Sequence, residues 1–161
     1  MANPIFLDIA TQKGGQIKDP GQTKKNYKNQ LLVQEFDQNI SMSISHHKAH
    51  AGSVARPDPI RFTLAMGCYE TELKQACATG DRITTATFSF PVTDKSGEEK
   101  NSYTIKATGG VITRVKRYSP QLWQSENDTI PTLVEVEIAY EKLEEQDLIH
   151  NKQMTYSWDE R

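Results

Sequence analysis

The chain has 161 residues, a formal net charge of −2 and two cysteines, with a mean hydropathy of −0.66 and a pI near 6.1. That length suits a single domain, residues 1–161, burying roughly 70% of its unfolded surface, with no need of a disulfide or metal to hold a core. The slightly acidic balance argues against a general nucleic-acid binder, whose footprint is a basic excess, and no apolar run approaches the roughly 18 residues of a membrane span.

Residues 1–8 lack the basic and apolar regions of a secretory signal, so the expectation is synthesis in the cytoplasm and, if the protein leaves the cell, a route without a cleaved signal. Ile5, Leu7 and Ile9 alternate with Phe6 and Asp8, the period of a strand. Residues 11–29 are polar, with Gly14, Gly15, Pro20 and Gly21, and fit neither period. From Leu32 the even positions Phe36, Ile40, Met42 and Ile44 are apolar, while Glu35, Asp37, Asn39, Ser41 and Ser43 are not. This pattern predicts one half-buried strand with a wetted face. Residues 46–56 read as a loop of small and basic residues.

Residues 59–64 alternate again, and helical spacing takes over from Tyr69 to Thr79. It places Tyr69, Leu73, Ala76 and Cys77 on one side and turns Glu70, Glu72, Lys74 and Gln75 outward, with Gly80 where a terminating glycine belongs. On such a helix Cys68 and Cys77 stand about 13.5 Å apart along the axis and on opposite faces, too far to bridge. Two reduced thiols are expected, with Cys77 in the core. Ala86, Phe88, Phe90 and Val92 define the next strand, and Asp94-Lys95-Ser96-Gly97 signals a turn. Tyr103, Ile105 and Ala107 follow, then, past Gly109-Gly110, a strand over 111–118 and a loop over 119–131. In the clearest strand Val134, Val136, Ile138 and Tyr140 face inward against Glu135, Glu137 and Glu141. The tail from Glu144 is polar, with Tyr156 and Trp158 near its end. Six to eight strands and one helix predict a mainly β fold, a small barrel or two-sheet sandwich.

Catalytic patterns are missing. His46, His47 and His50 with Cys68 invite a metal, but the histidines crowd a small-residue loop with no acidic partner, and a solvated loop is the better reading. The stretch from Gly15 to Thr23 lacks the Gly-Lys-Ser/Thr ending of a phosphate loop, and no nucleophile elbow occurs. Glu135, Glu137 and Glu141 line a strand face and read as solvated. Phe88, Phe90, Tyr103 and Tyr140 sit at core parity and read as packing, not as a base-stacking platform. No catalytic residue, metal ligand or cofactor is expected.

Charge is distributed unevenly. Lys13, Lys18, Lys24, Lys25 and Lys28 face a single Asp19, whereas Glu135, Glu137, Glu141, Glu144, Glu145 and Asp147 face a single Lys142. On charge alone these are two ordinary solvated surfaces; opposite patches on one subunit also suit heterologous self-association into a ring or a stack.

Residues 31–36 (Leu-Leu-Val-Gln-Glu-Phe), Arg56-Pro57, Ile60 to Thr63, the Leu73…Ala76…Gly80 helix end, Tyr103 to Lys106, Val111 to Val115 and Val136 to Lys142 together resemble the haemolysin-coregulated protein (Hcp) family of type VI secretion. Each motif alone is weak; their order and spacing over most of the chain carry the resemblance. It implies an antiparallel two-sheet barrel with a flanking helix, a hexameric ring, and rings stacked into a tube inside a sheath beneath a trimeric spike. It also implies secretion from a Gram-negative bacterium toward a target cell with effectors in the lumen, and no enzymatic activity, nucleic-acid partner or membrane insertion. Carried onto this sequence, the loop holding His46, His47, Lys48, His50, Gly52, Ser53 and Arg56 is expected at ring and stacking contacts. Asp37, Asn39 and Ser41 are expected toward the lumen. Lys24, Lys25 and Lys28 are expected to meet Glu135, Glu137 and Glu141 between subunits. The competing reading from another class is a monomeric small-barrel module that binds a ligand or a protein.

Overall fold

The computed structural model describes residues 4–42, 56–127 and 129–157. Every strand pairing is antiparallel. The main sheet starts with β1 (Ile5–Thr11), the short β2 (Gly15–Ile17) hairpinned onto it, and β3 (Leu31–Asp37) on its other side. A two-stranded ladder of β4 (Ile40–Ser41) and β5 (Arg56–Pro57) stands apart. Then come β6 (Ile60–Ala65), the helix α1 (Tyr69–Thr79), β7 (Ile83–Thr93), β8 (Glu99–Thr108), β9 (Val111–Tyr118), β10 (Leu133–Ala139), β11 (Lys142–Asp147) and β12 (Lys152–Ser157). The order across the sheet is β12-β11-β8-β7-β1-β3-β6-β10-β9. The sheet is open and folds over on itself: Arg82 bridges Val111, and the Ile83 amide donates to the Gly110 carbonyl at 2.9 Å. This is a β-sandwich with one helix, the fold class expected.

The core fills the fold-over. Phe62 of β6 and Phe88 of β7 meet edge-to-face at 5.3 Å, and Phe36 of β3 packs its edge on Phe88 at 4.9 Å. Leu7, Ile9, Leu31, Leu64, Val134, Val136 and Ile138 complete a fully buried set. Tyr69, Leu73 and Ala76 join the same core from α1, as the helical spacing predicts. Cys77 is half-buried against it and Cys68 is exposed. Gly80 ends the helix at φ 67°, the left-handed conformation that glycine takes without strain. Gly110 is needed for space as well as conformation: at φ 101°, a Cβ there would lie 2.0 Å from the Ala139 carbonyl oxygen.

Several sequence expectations need correction. The predicted single strand over 32–44 is broken. Its pairing with β6 slips between Val33 and Glu35, so Leu31 and Val33 face inward before the slip and Phe36 after it. The strand stops at Asp37, and Met42, read as inward, is exposed. The stretch 11–29 holds β2, and the polar tail holds the β11–β12 hairpin. These bring the strands among the described residues to twelve, not six to eight. Glu70, read as outward, is buried.

Candidate assembly surfaces

The outward side chains of β6, β10 and β9 form a lattice of alternating charge. Pairing register puts Glu137 between Arg61 on one flank and Arg114 on the other. Arg61 Nη2 lies 2.7 Å and Nε 2.9 Å from Glu137 Oε1, and Nε reaches Glu135 at 3.5 Å. Arg114 stands 3.6 Å from Glu137 and 3.9 Å from Glu135. The hydrogen bond to Glu137, helped by its negative charge, holds the Arg61 guanidinium above its ordinary range. Glu141 is paired with Arg82. The acidic face legible in the sequence is therefore largely neutralised by arginines of its own subunit.

The lysine loop is divided in the same way. Lys24 Nζ sits 2.7 Å from Glu99 and 5.5 Å from the centre of the Phe6 ring, so it fastens residues 18–30 to the sheet. Lys25 and Lys28 are exposed. The structure does not bring Lys24, Lys25 or Lys28 to Glu135, Glu137 or Glu141 within one chain.

Asp37, Asn39 and Ser41 are all exposed. Asn39 Nδ2 donates to Asp58 at 2.9 Å, and the Asp58 amide donates back to the Asn39 carbonyl at 3.0 Å. A polar cleft of about 420 Å³ opens here between Asp37, Asn39, Asp58, Arg61 and Glu137. Two of the predicted lumen residues and one of the predicted acidic residues thus share one wall, with Arg61 between them. Ser41 pairs with Arg56 across the β4–β5 ladder. His46, His47, Lys48, His50, Gly52 and Ser53 lie outside the described residues, and only the backbone of Arg56 is described.

Two buried carboxylates escape the periodicity. Glu70, 3% exposed, accepts from Arg117 Nε at 2.6 Å and from Lys74 at 3.0 Å. Burial pulls its pKa upward, but these two cations outweigh it and hold the group below the usual carboxylate range. Lys74 at i+4 is the one signal the sequence offered; Arg117 arrives from β9, 47 residues on. Asp81 accepts the backbone N–H groups of Lys13 at 3.0 Å and Gly14 at 3.1 Å, and these bonds outweigh burial and lower its pKa too. It anchors the β1–β2 turn to the end of α1, beside a groove of about 510 Å³.

Exposed apolar side chains gather on the loop between β9 and β10, where Leu122 is 65% and Trp123 79% exposed. Among the described residues no group of three His, Cys, Asp or Glu side chains could hold a metal ion, and no helix is long and apolar enough to cross a membrane.

The described residues form an open antiparallel sandwich with one helix, and paired charges line its β6, β10 and β9 strand faces. The sequence model of the family described as "Type VI secretion system effector, Hcp" matches residues 7–146, and the chain belongs to that family of secretion tube and effector proteins. Among solved structures it is similar to an Hcp protein at 20% identity and TM-score 0.89, over 98% of each chain. It is also similar to a mutant Hcp1 from the E. coli EAEC 042 pathovar at 18% identity and TM-score 0.83, over 98% of this chain and 99% of that one. The secreted Hcp3 of Pseudomonas aeruginosa gives 18% identity and TM-score 0.75 over 98% and 99%. At these identities the likeness shows the fold. No curated protein sequence matches the chain.

Proposed function

We propose that this chain is a structural subunit of the type VI inner tube: one domain that closes into a hexameric ring, stacks ring on ring, and is expelled with effectors in the lumen. The observation that carries the reading is the extent of the likeness. The family match covers residues 7–146 and the structural match 98% of both chains, so the role proposed is that of a whole subunit. Its partners are then further copies of itself, a surrounding sheath, a trimeric spike and effector cargo. The protein waits in the cytoplasm before assembly and is then released outside the cell or into a target cell.

Within that reading the cleft wall of Asp37 and Asn39, with Ser41 beside it, faces the lumen. Arg61 and Arg114 offset Glu135 and Glu137 while Asp37 and Asp58 keep the wall wet and mildly acidic, which suits passage of cargo without tight capture. Residues 46–56 make ring and stacking contacts, and Lys25 and Lys28 supply charge to neighbouring subunits. Negative-stain imaging of the purified protein tests the reading, with six-fold rings open at the centre and a native mass about six times 18.2 kDa as the expected result. A monomer at every concentration would overturn it in favour of a small-barrel binding module.

A further inference from the structure

We propose that residues 18–30 form a salt-sensitive latch: a strap that lifts off the sheet as one closed unit, while the core stays folded, and bares the outer face of β1 and β7 around Phe6. The motion belongs to a single chain, and the proposal stands or falls whether or not the subunit assembles.

The strap's backbone is bonded to itself. The Asp19 amide donates to the Asn29 carbonyl at 3.0 Å, and the Asn29 amide to the Gln22 carbonyl at 3.1 Å. Inside that closure the Gln22 amide donates to Asp19 at 3.1 Å and the Tyr27 amide to Lys24 at 3.0 Å. The two ends therefore meet, as in a compact surface loop of the omega kind. Among the described residues, no backbone hydrogen bond from residues 19–29 reaches the sheet. The flanking positions are fixed, with Ile17 3% exposed and Leu31 0%.

What fastens the strap is small. Tyr27 is its one buried residue, and that ring lies flat on Phe6. The one ion pair to the sheet among the described residues joins Lys24 Nζ to Glu99 Oε2, with the same ammonium over the Phe6 ring. Ring and ion pair act at one place. Burial raises the Tyr27 pKa, the Glu99 carboxylate adds to the rise and Lys24 opposes it.

Closure also works against itself. Gln30 Oε1 and Glu99 Oε1 are buried without a hydrogen-bond partner among the described residues, and an acceptor left so disfavours the state that buries it. Opening returns both to water. It uncovers Phe6 and, opposite it across the β1–β7 pairing, the buried Ser89. A segment with one buried side chain and self-contained hydrogen bonds has the makeup of a unit that opens locally. Salt enters through Lys24, because an exposed ion pair weakens as ionic strength rises.

Hydrogen exchange of the full chain, read amide by amide, tests this. The amides of Asp19, Gln22, Tyr27 and Asn29 should be protected about a hundredfold, as one stacked and buried ring can sustain. Those of β7 and β10 should be protected at least tenfold more. Urea below the unfolding transition should speed exchange in β7 and β10 and leave the strap unchanged, because local opening exposes little surface. Tyr27→Ala should abolish strap protection while the core still melts cooperatively, and Tyr27→Phe, which keeps the ring, should retain it. Lys24→Ala should lower strap protection about 1.4- to 5-fold. Salt at 1 M should do the same to the wild type and nothing further to that variant. Strap amides as slow and as urea-dependent as the core would make the strap part of the core and overturn the latch. Strap amides without protection in the wild type would show that nothing is fastened, and overturn it too. An equal salt response in wild type and Lys24→Ala would overturn the salt-sensitive fastening.

Discussion

Two long loops cross the surface of this protein, and they treat their aromatic residue in opposite ways. Residues 18–30 lie down as a strap. Tyr27 is 6% exposed and stacked flat on Phe6, with ring centres 4.2 Å apart. The strap is closed by the Asp19 amide on the Asn29 carbonyl at 3.0 Å and tied at Lys24 to Glu99. Residues 121–127 are also braced, by hydrogen bonds within the loop, yet Trp123 stands in solvent. Bracing is therefore not the difference. β1 turns Phe6 to its outer face, which gives Tyr27 an apolar bed, and the sheet offers Trp123 no such ring among the described residues. An aromatic in a polar loop is sealed when the strand beneath supplies a partner, and otherwise it is available to another molecule.

The largest expected effect breaks this contrast directly. Tyr27→Ala removes a buried aromatic side chain and a stacked pair, and should cost about 2–4 kcal/mol in urea unfolding. Trp123→Ala removes exposed surface and should stay within about 0.5 kcal/mol of wild type. Equal destabilisation by the two substitutions would show that the loops are not energetically different.

Next comes Glu70, the buried carboxylate that links the start of α1 to β9. Glu70→Gln keeps the shape and removes the charge, and should cost about 1.5–3 kcal/mol near neutral pH, the range for hydrogen bonds to charged groups. The sign with pH follows from its lowered pKa. The unfolded chain takes up the proton first as pH falls, so the contribution is full above the ordinary carboxylate value of 4.5 and is lost as pH falls through the folded value. The gap between wild type and variant should narrow progressively as pH falls below 4.5. A difference that stays constant from pH 7 to pH 3 would show that the charge of Glu70 contributes nothing.

The same contrast explains what the sequence made legible. Strands that face the core on one side, such as β10 with Val134, Val136 and Ile138, announce themselves by alternation. The β11–β12 hairpin does not, because it lies at the sheet edge and needs only Leu143 fully buried, leaving Glu144, Glu145 and Gln146 half-exposed. The slip at Gln34 inverts parity inside a strand, so the odd and even sets each look half right. Glu70 follows the helical polar face by spacing, and the long-range arrival of Arg117 beside Lys74 makes its burial tolerable. Of the candidate surfaces, the charges were visible but not their pairing. Arginines from β6 and β9 flank β10 through sheet register, and register is a property of strand order that no local window contains.

The smallest effect separates Lys24 from its neighbours. Lys24→Ala should lower stability by only about 0.2–1 kcal/mol, as expected for an exposed ion pair. Part of that loss should disappear with salt, since the Debye length shrinks to about 3 Å at 1 M. Lys25→Glu with Lys28→Glu should leave melting unchanged, because neither side chain holds the strap. If these two lysines meet acidic groups of a neighbouring subunit, the double reversal weakens assembly at low ionic strength and the deficit closes as salt is added. Reversing Lys24 as well would confuse the two roles, since it places a carboxylate against Glu99 and loosens the strap itself. Sedimentation of the Lys25/Lys28 double variant across a salt series isolates the intersubunit part. A salt dependence identical to wild type would leave Lys24 as the one lysine of the three with a structural task, and that task would lie within the subunit.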